Sequence, residues 1–474
     1  MPLFFLARRS SAPGSEPRAG NFRAMEPFDT IVVGGGNAGC AAAIASARHG
    51  ARTLLIERYG FLGGTATAAM VGPWMTFHSG ETRIVGGIAQ EIVERLTAMD
   101  GSPGHRHDSS DYVATITPFD PELHKALLVE LMAEAGVTLL LHAWFLAAIC
   151  DGERTIGVRV TTIGGELEFF ATTTIDATAD ALVAHSAGAA TRRGDERGRV
   201  QPASLMLRIG PVDGEALAAY LRAHPDQIRS SLPVADLRPE NLSAIAGLWE
   251  LWNLARERGE VTIPRDIVSL FASPYPDEMT VNMSRVLDVD PLDAFDLTRA
   301  EIEGRRQALE LIRFFNKYVP GFERARILAS GAQVGIRESR RIVGRYTLTR
   351  DDVLSARRFP DAVARSAYPI DIHDPSGIGT TTHRVAPGGA YEIPFRCLVP
   401  ERTEGLLVAG RCISTTHEAL ASARLTPTVM TLGQAAGTAA AIAKNSARSV
   451  GDIDIFALRA ALQNDGVDLG ERKE

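Results

Sequence analysis

Four residues near the start of the chain have the types and spacing that bind a dinucleotide. Gly34, Gly36 and Gly39 fit the pattern G-x-G-x-x-G, and the acidic Glu57 follows about 20 residues later. Gly34 permits a tight turn, Gly36 lets the backbone approach a pyrophosphate, and Gly39 allows a helix and a strand to pack closely. Glu57 has the carboxylate that accepts hydrogen bonds from the hydroxyls of an adenosine ribose.

These residues need a strand, a helix and a second strand to position them. Residues 30–33 form a short β-branched run, an Ala-rich helical stretch follows the glycines, and residues 52–56 predict a strand that ends at Glu57. The N-terminus of such a helix offers free N–H groups and a positive dipole end to phosphates. We therefore expect dinucleotide binding, with Asn37 and Ala38 in the first helical turn among the contacts.

The residues after Glu57 favour FAD over NAD(P). Arg58 follows directly, and the glycine pair Gly63 and Gly64 comes soon after. A glycine pair so close to the ribose acid indicates a second backbone approach to the same extended ligand. We expect Arg58, both glycines, and the adjacent Thr65 and Thr67 to contact this cofactor.

Two late segments are predicted to reach the flavin end of the cofactor. Residues 405–411 predict a buried strand that ends at Gly410 and Arg411. Further on, Gly433, Gln434 and Ala435 lie in a small-residue stretch, 432–437, that we expect to open a helix. The N-terminus of that helix would face the flavin and stabilise negative charge on its reduced form. Ordinary close packing is the alternative interpretation of this stretch.

The chain resembles the FAD-dependent oxidoreductases of the glutathione-reductase-like superfamily, in the branch related to the flavin subunit of heterodisulfide reductases. The resemblance runs from about Met25 through the glycine unit and continues in residues 175–188, 335–354, 368–373 and 406–443. It implies FAD as the cofactor and a two-domain fold. It leaves the substrate undefined, because this branch is chemically diverse.

The superfamily's ATG-D element appears here with alanine in place of its usual glycine. The resemblance implies cofactor contacts at Ala177, Thr178 and Asp180, and we add Phe145, from the apolar run 139–150. Cysteine ligands for iron–sulfur clusters, which some relatives carry, are absent from the sequence.

The expected fold class is α/β, with a Rossmann-like FAD-binding domain of the glutathione-reductase-like type and an inserted α+β substrate domain. Within the insertion, residues 213–330 look mostly helical, and 301–315 is the clearest amphipathic stretch. The expected division is a disordered leader at 1–24, FAD-binding parts at 25–190 and 391–450, a substrate or cap domain at 191–390, and a C-terminal segment at 451–474.

Composition is typical of a cytoplasmic enzyme that acts on a small molecule. The net charge of −7 argues against nucleic acid as a partner, and no stretch is long and apolar enough for a membrane span. Four cysteines without a C-x-x-C pair offer no redox dithiol, and we expect them to be reduced packing residues. No histidines show close ligand spacing, so no metal is expected; a homo-oligomer remains open.

Catalytic candidates come from two polar segments and two isolated histidines. Arg337 stands in the segment 337–341, where alternate residues of a strand would face one way and bind FAD or an anionic substrate. Asp371 and His373 also alternate, so a carboxylate could hold the histidine as a general base. An ion-paired surface strand and a structural Asp–His pair are equally good interpretations. His417 and His78 are weaker candidates.

The sequence therefore predicts an FAD-dependent dehydrogenase or oxidase that moves a hydride from a small polar metabolite to flavin N5. His373 would take the accompanying proton. Two alternatives stay open: a flavin monooxygenase that uses NAD(P)H, and a flavin-bound electron-transfer subunit that acts only inside a complex.

Overall fold

The structure is a computed structural model that describes residues 26–375, 377–386, 389–444, 446 and 449–470. The expected leader at 1–24 lies outside the described residues. Across the part of the chain described, no helix has the length and apolar character needed to cross a membrane.

The helices and strands fall into three successive groups along the chain. The first group is β1 (Phe28–Val33), α1 (Asn37–Arg48), β2 (Thr53–Ile56), α2 (Thr65–Ala68), β3 (Trp74–Met75), β4 (His78–Ser79), β5 (Thr82–Arg83), α3 (Gly87–Ala98), β6 (Arg106–His107), β7 (Thr115–Thr117), α4 (Pro121–Ala135), β8 (Thr138–Leu140), β9 (Trp144–Asp151), β10 (Arg154–Thr162), β11 (Gly165–Asp176), α5 (Leu182–Ser186) and β12 (Thr191–Arg193). The second is β13 (Leu207–Gly210), α6 (Gly214–Ala223), β14 (Ile228–Arg229), β15 (Ala244–Gly247), α7 (Trp249–Glu257), β16 (Val268–Ala272), β17 (Met279–Val281), α8 (Ala294–Tyr318) and β18 (Arg326–Ser330). The third is β19 (Arg340–Ile342), α9 (Arg350–Leu354), β20 (Ala362–Ser366), β21 (Ile370–His373), β22 (Thr380–His383), β23 (Tyr391–Pro394), β24 (Leu406–Val408), α10 (His417–Ala423), α11 (Thr426–Lys444) and α12 (Ile455–Asn464).

A mixed sheet with a parallel part holds the first core. Strands β8, β2, β1 and β11 are parallel neighbours, and β24 pairs in parallel with β11 on its other side. The N-terminal half of the long strand β11 continues into an antiparallel ladder with β10 and β9. Strands β2 and β24 are buried along their whole length and β1 at all but one residue, because both faces of this part of the sheet are covered. Their carboxyl ends deliver the glycine turn, Glu57 and Gly410 to one edge.

Helix α4 spans Pro121–Ala135 because its ends carry strong local signals. The Asp120 side chain accepts hydrogen bonds from the N–H groups of Glu122 and Leu123, and Pro121 occupies the first turn. Gly136 ends the helix in the left-handed conformation, with φ of 75°.

Residues 203–334 form a second core around a six-stranded sheet of order β14-β15-β16-β17-β13-β18. The expectation that 213–330 is mostly helical missed this sheet, although helices α6, α7 and α8 lie in the same range. The strands are two to five residues long, too short to show a convincing alternation. The amphipathic stretch 301–315 lies within helix α8, as predicted.

The change of core falls earlier than the expected domain boundary at residue 390. Val334 belongs to the second core, whereas Ile342 and the buried side chains up to Ile393 pack in the first core. Leu458 and Leu462 of the C-terminal segment also pack there. The polar segments around 337–373 thus lie where the two cores meet along the chain.

Helix α11 packs directly on α1 through its glycines. A Cβ at Gly433 would lie 2.0 Å from the Ala38 carbonyl oxygen, and one at Gly437 would lie 2.0 Å from that of Ala42. The expectation that the helix opens at residue 432 is wrong, because α11 begins at Thr426. The Gln434 side chain makes a contact within the protein, where its Oε1 accepts the N–H of Ile88 at 2.9 Å.

Candidate functional site

The first and third glycines of the pattern are required by the fold itself. Gly34 has φ of +105°, and a Cβ there would lie 2.5 Å from the Ala177 carbonyl oxygen. A Cβ at Gly39 would lie 1.8 Å from the Gly34 carbonyl oxygen, so only glycine allows α1 to leave β1 this closely. Ala177 therefore forms one wall of the turn, which places the residues after β11 beside the glycine loop.

Gly36 is different, because the protein leaves room where its side chain would be. It has an ordinary φ of −69°, and the nearest atom to a Cβ would be the Gly64 Cα at 3.7 Å. No side chain caps α1, so the N–H groups of Asn37 and Ala38 are available in its first turn. The first turn of α1 also holds no acidic residue. This concave, donor-rich surface fits the pyrophosphate of a dinucleotide.

Glu57 is buried at the end of β2, where the backbone orients its carboxylate. One oxygen accepts the Gly35 N–H at 2.6 Å and the other accepts the Tyr59 N–H at 2.9 Å. Burial raises the pKa of Glu57, while these backbone hydrogen bonds act against that rise. A carboxylate has about four lone-pair sites, so two contacts leave capacity for ribose hydroxyls.

A partly exposed aromatic surface lies beside Glu57. The Arg58 guanidinium stands 4.7 Å from the ring centroid of Tyr59 and 5.6 Å from that of Trp144. Trp144 is exposed, and the neighbouring Phe145 in β9 is half-buried. These flat groups suit the adenosine end of a dinucleotide, which keeps Arg58 and Phe145 as predicted contacts.

The glycine pair lies against the first glycine loop, as a second backbone approach requires. The Gly63 N–H donates to the Gly35 carbonyl at 2.8 Å, and a Cβ at Gly64 would lie 2.7 Å from the Gly36 Cα. Thr65 begins helix α2, and the Thr67 hydroxyl donates to the Leu62 carbonyl at 2.7 Å. The two glycine loops thus form one cradle.

Asp180 and Arg411 are brought together from distant parts of the chain. The Arg411 Nη2 donates to Asp180 Oδ1 at 2.5 Å, and the Ser339 hydroxyl donates to the same oxygen at 2.5 Å. Thr178 is held locally, because its hydroxyl donates to the buried Asp176 carboxylate at 2.6 Å. Gly410, with φ of +99°, precedes Arg411 directly after β24.

The segment 337–341 does not present its alternate side chains on one face. Strand β19 begins only at Arg340, and the three expected neighbours diverge. Arg337 donates to the Pro202 carbonyl at 2.6 Å, Ser339 to Asp180, and Arg341 to the carboxylate of Glu338. Because Glu338 is fully buried, it draws Arg341 inward as its ion-pair partner.

His417 belongs to this buried ion pair. Its Nδ1 lies 3.0 Å from Glu338 Oε1, at the start of helix α10. Sequence reasoning singled out His417 but missed Glu338, whose burial could not be read from a charged pentapeptide. His78 lies elsewhere, with its Nδ1 3.0 Å from the Thr115 hydroxyl.

Asp371 and His373 form the expected pair. On β21, His373 Nε2 lies 3.3 Å from Asp371 Oδ2, and both side chains are buried. Burial lowers the pKa of His373 to about 3, helped by Arg337 and opposed by Asp371. Burial alone would raise the pKa of Asp371, but His373 and Arg424 hold it well below its usual range. Asp371 is thus ionised and accepts the Nε2 proton of a neutral imidazole. Nδ1, which lies 3.4 Å from the Thr380 hydroxyl, is then the basic atom.

Three further arginines interact electrostatically with this pair: Arg424 and Arg285 with Asp371, and Arg265 with both side chains. Arg265 and Arg285 come from the second core, and Arg424 precedes α11. They are separated by up to about 160 residues of chain, so no spacing pattern links them. Among the described residues, no group of three or more His, Cys, Asp and Glu side chains is placed to hold a metal ion.

Comparisons with known proteins find a matching family model and several distant similarities. An NADH dehydrogenase of Bacillus subtilis (strain 168) is 54% identical over 48 residues, a match that spans 10% of this chain and only 9% of that protein. A flavin-dependent brominase structure is 15% identical with a TM-score of 0.48, covering 93% of this chain and 83% of that one. A geranylgeranyl bacteriochlorophyll reductase-like protein from Thermoplasma acidophilum is 14% identical with a TM-score of 0.43, covering 93% and 82%.

The family model described as FAD dependent oxidoreductase matches residues 29–462, which include the glycine cradle, Glu57, the Asp–His pair and helix α11. The chain belongs to this family of FAD-dependent oxidoreductases, and FAD is its cofactor.

Proposed function

We propose that this protein is an FAD-dependent dehydrogenase or oxidase of a small polar metabolite. We also assign it to the glutathione-reductase-like fold type and to the branch related to the heterodisulfide reductase flavin subunit. The observation that carries the proposed activity is the buried Asp371–His373 pair, held next to the elements that build the cofactor cradle.

The pair is connected to the cradle through packed elements. The Ser422 hydroxyl of α10 donates to the Tyr368 carbonyl at 2.6 Å, just before β21. In the first turn of α11, the Thr428 hydroxyl donates to Ser366 at 3.1 Å. The same helix contacts Ala38 through Gly433. A substrate beside His373 would therefore lie on the side of the cradle that α11 closes.

His373 is neutral at physiological pH and can accept a proton during oxidation of a C–H bond, although burial keeps its basicity low before substrate binds. Asp371 fixes its orientation and stabilises the imidazolium that forms when Nδ1 accepts a proton from a substrate O–H or N–H. FAD held in the cradle would supply the hydride acceptor for the adjacent substrate carbon. Burial of both side chains keeps water away from the proton acceptor.

The experiment compares His373→Gln with His185→Gln, whose parent histidine is exposed on α5. We expect His373→Gln to retain FAD but to slow anaerobic substrate reduction of the flavin by about 10²-fold or more, the usual scale of a lost general base. His185→Gln should behave as wild type. An unchanged reduction rate in His373→Gln would remove the assigned role of this histidine.

A further inference from the structure

We propose that the substrate of this site is a small organic dianion, held by the four arginines Arg265, Arg285, Arg337 and Arg424. This inference rests on the proposed function and adds the substrate class. We call these four residues the arginine cluster.

Arg265 is the residue that most requires a ligand. Its side chain is 6% exposed, and its Nη1 has no hydrogen-bond partner among the described residues. Its pKa is lowered to about 10 by burial and by Arg285, while Asp266 and Asp371 oppose this. A buried guanidinium without a hydrogen-bonded counter-ion is strongly unfavourable, so the site is complete only when an anion enters.

Arg424 and Arg285 also have unused donors. The Nε atoms of both are buried and lack a partner among the described residues. Arg285 is anchored by its Nη2, which donates to the carbonyls of Asp374 at 3.0 Å and Gly379 at 2.8 Å. Those carbonyls fix the guanidinium in place and leave its Nε for a ligand.

Arg337 shows that the four charges act on one another. Burial, together with Arg424, Arg265 and Arg285, lowers its pKa to about 9, and Asp371 acts in the opposite direction. Like charges in a buried site repel one another, so their proximity destabilises the folded protein. Other arginines nearby are already neutralised: Arg341 by Glu338 and Arg411 by Asp180.

The balance of charges in the cluster indicates how many negative charges the ligand carries. Two carboxylates, the buried Asp371 and the half-buried Asp374, oppose the four guanidinium groups, and Asp374 acts on Arg285. Asp266 is exposed, so solvent screens its charge. About two positive charges therefore remain uncompensated, which favours a ligand with two negative charges.

A guanidinium group can donate two parallel hydrogen bonds to a pair of oxygens, and both carboxylate and phosphate groups present such a pair. The buried amide of Gln201 offers an additional donor, because its Nε2 lacks a partner among the described residues. Its Oε1 accepts the backbone N–H of His373 at 3.3 Å. This places an amide donor and the proposed base next to each other. A dianion bound here would present its oxidisable carbon beside His373.

The first test is a binding series on the wild-type holoenzyme at constant ionic strength. Malonate, succinate, inorganic phosphate, acetate and succinamide are titrated while the flavin absorbance spectrum is recorded. We expect a dicarboxylate or phosphate to bind at least tenfold more tightly than acetate, and succinamide not to bind. Phosphate binding without dicarboxylate binding would identify a phosphorylated substrate. Equal binding of the neutral diamide, or no binding of any anion, would overturn the proposal.

The second test uses Arg265→Gln, with Arg313→Gln on the exposed face of α8 as its matched control. We expect Arg265→Gln to weaken dianion binding at least tenfold and to raise the Tm of the ligand-free holoenzyme, because an uncompensated buried charge is removed. A merely structural arginine would lower the Tm and leave the preference for dianions unchanged. That result contradicts the proposal.

The two proposals can fail separately. A dianion that binds but never reduces the flavin would overturn the dehydrogenase or oxidase and keep the anion site. A neutral or cationic metabolite that reduces the flavin would keep the dehydrogenase or oxidase and overturn the anion site.

Discussion

His373 depends for its charge on the groups that surround it. Burial, Arg337 and Arg265 lower its pKa to about 3, and Asp371 acts in the opposite direction. At neutral pH the ring is therefore uncharged and its basicity is low. A bound anion would offset the two arginines, so the pKa of His373 should rise when substrate enters.

The pH dependence of turnover tests this coupling. The profile of kcat/KM reports the base in the free enzyme, and that of kcat reports it in the substrate complex. We expect the acidic limb of kcat to lie at higher pH than the limb of kcat/KM that belongs to His373. Coincident limbs, or the reverse order, would show that the substrate brings no negative charge close to His373.

Gly36 provides a test of the cradle that spares the fold. Gly36→Ala places a methyl group 3.7 Å from the nearest protein atom at a permitted φ, so the apoprotein should keep its stability. The methyl group would occupy the space that a pyrophosphate needs. We expect FAD affinity to fall by at least tenfold, measured by flavin fluorescence on reconstitution.

Gly164→Ala is the matched control, since its Cβ would meet only the Thr162 hydroxyl at 3.7 Å. It should bind FAD as wild type does. Normal FAD binding by Gly36→Ala would show that the pyrophosphate does not approach the backbone there.

Local spacing made part of the site predictable at the level of single residues. The glycine pattern and the Asp371–His373 alternation each lie within one turn or strand, where the sequence separation fixes the spatial relation. The arginine cluster does not, because Arg265, Arg285 and Arg424 meet only through the packing of two cores. Glu338 was not predicted as a buried residue for a related reason: its burial depends on His417, which lies 79 residues away.

Helix packing was predicted less well than helix identity. The caps of α4 define it locally, but the start of α11 was placed at residue 432, although the helix begins at Thr426 and includes Pro427. Proline is favoured in the first turn of a helix, where its missing N–H is not needed. The contact between Gly433 and Ala38 then explains the glycines by packing, the alternative that the sequence had left open.

The sign of a glycine substitution in α11 tests this packing. In an isolated helix, Gly→Ala stabilises by about 1 kcal/mol. Gly437→Ala should instead destabilise by several kcal/mol, because its Cβ would lie 2.0 Å from the Ala42 carbonyl oxygen. Urea unfolding measures the change in the free energy of unfolding.

Gly304→Ala in α8 is the helical comparison. Its Cβ would lie 3.2 Å from the Leu205 side chain, which can move by a few tenths of an ångström. We expect a smaller cost there than at Gly437. A stabilised Gly437→Ala protein would mean that α1 and α11 do not approach this closely.

Over the whole molecule, the two cores were predictable in number but not in extent. A chain of 474 residues exceeds one ordinary core, and its hydrophobic content of 45% can fill two. The short strands of the second core and the return of residues 342–393 to the first core depend on long-range pairing, which periodicity does not reveal. The substrate site therefore lies where prediction from sequence was weakest.

The stability of the whole fold should depend on pH through buried His124. Burial lowers the pKa of this side chain to about 3, and its Nε2 lies 2.8 Å from Asn37 Oδ1. In the unfolded chain, His124 takes up a proton below its ordinary pKa of about 6.5, whereas in the folded chain it stays neutral. The stability that is present above pH 6.5 is therefore lost as the pH falls. At pH 5 the loss from this one group is about 2 kcal/mol.

His124→Asn should reduce the slope of unfolding free energy against pH between 6.5 and 5, measured by urea denaturation at each pH. His185→Gln, from an exposed position, should keep the wild-type slope. A wild-type slope in His124→Asn would show that His124 is accessible to protons in the folded state.

The most direct test of the proposed activity is an anaerobic absorbance titration of the FAD-loaded wild-type protein. Hydroxy acids, amino acids and phosphorylated polyols are added one at a time, with their neutral analogues beside them and NADPH last. We predict that one anionic metabolite class bleaches the visible flavin band and that its neutral analogue does not. Bleaching by NADPH alone would contradict the account and assign the protein to the monooxygenases or reductases.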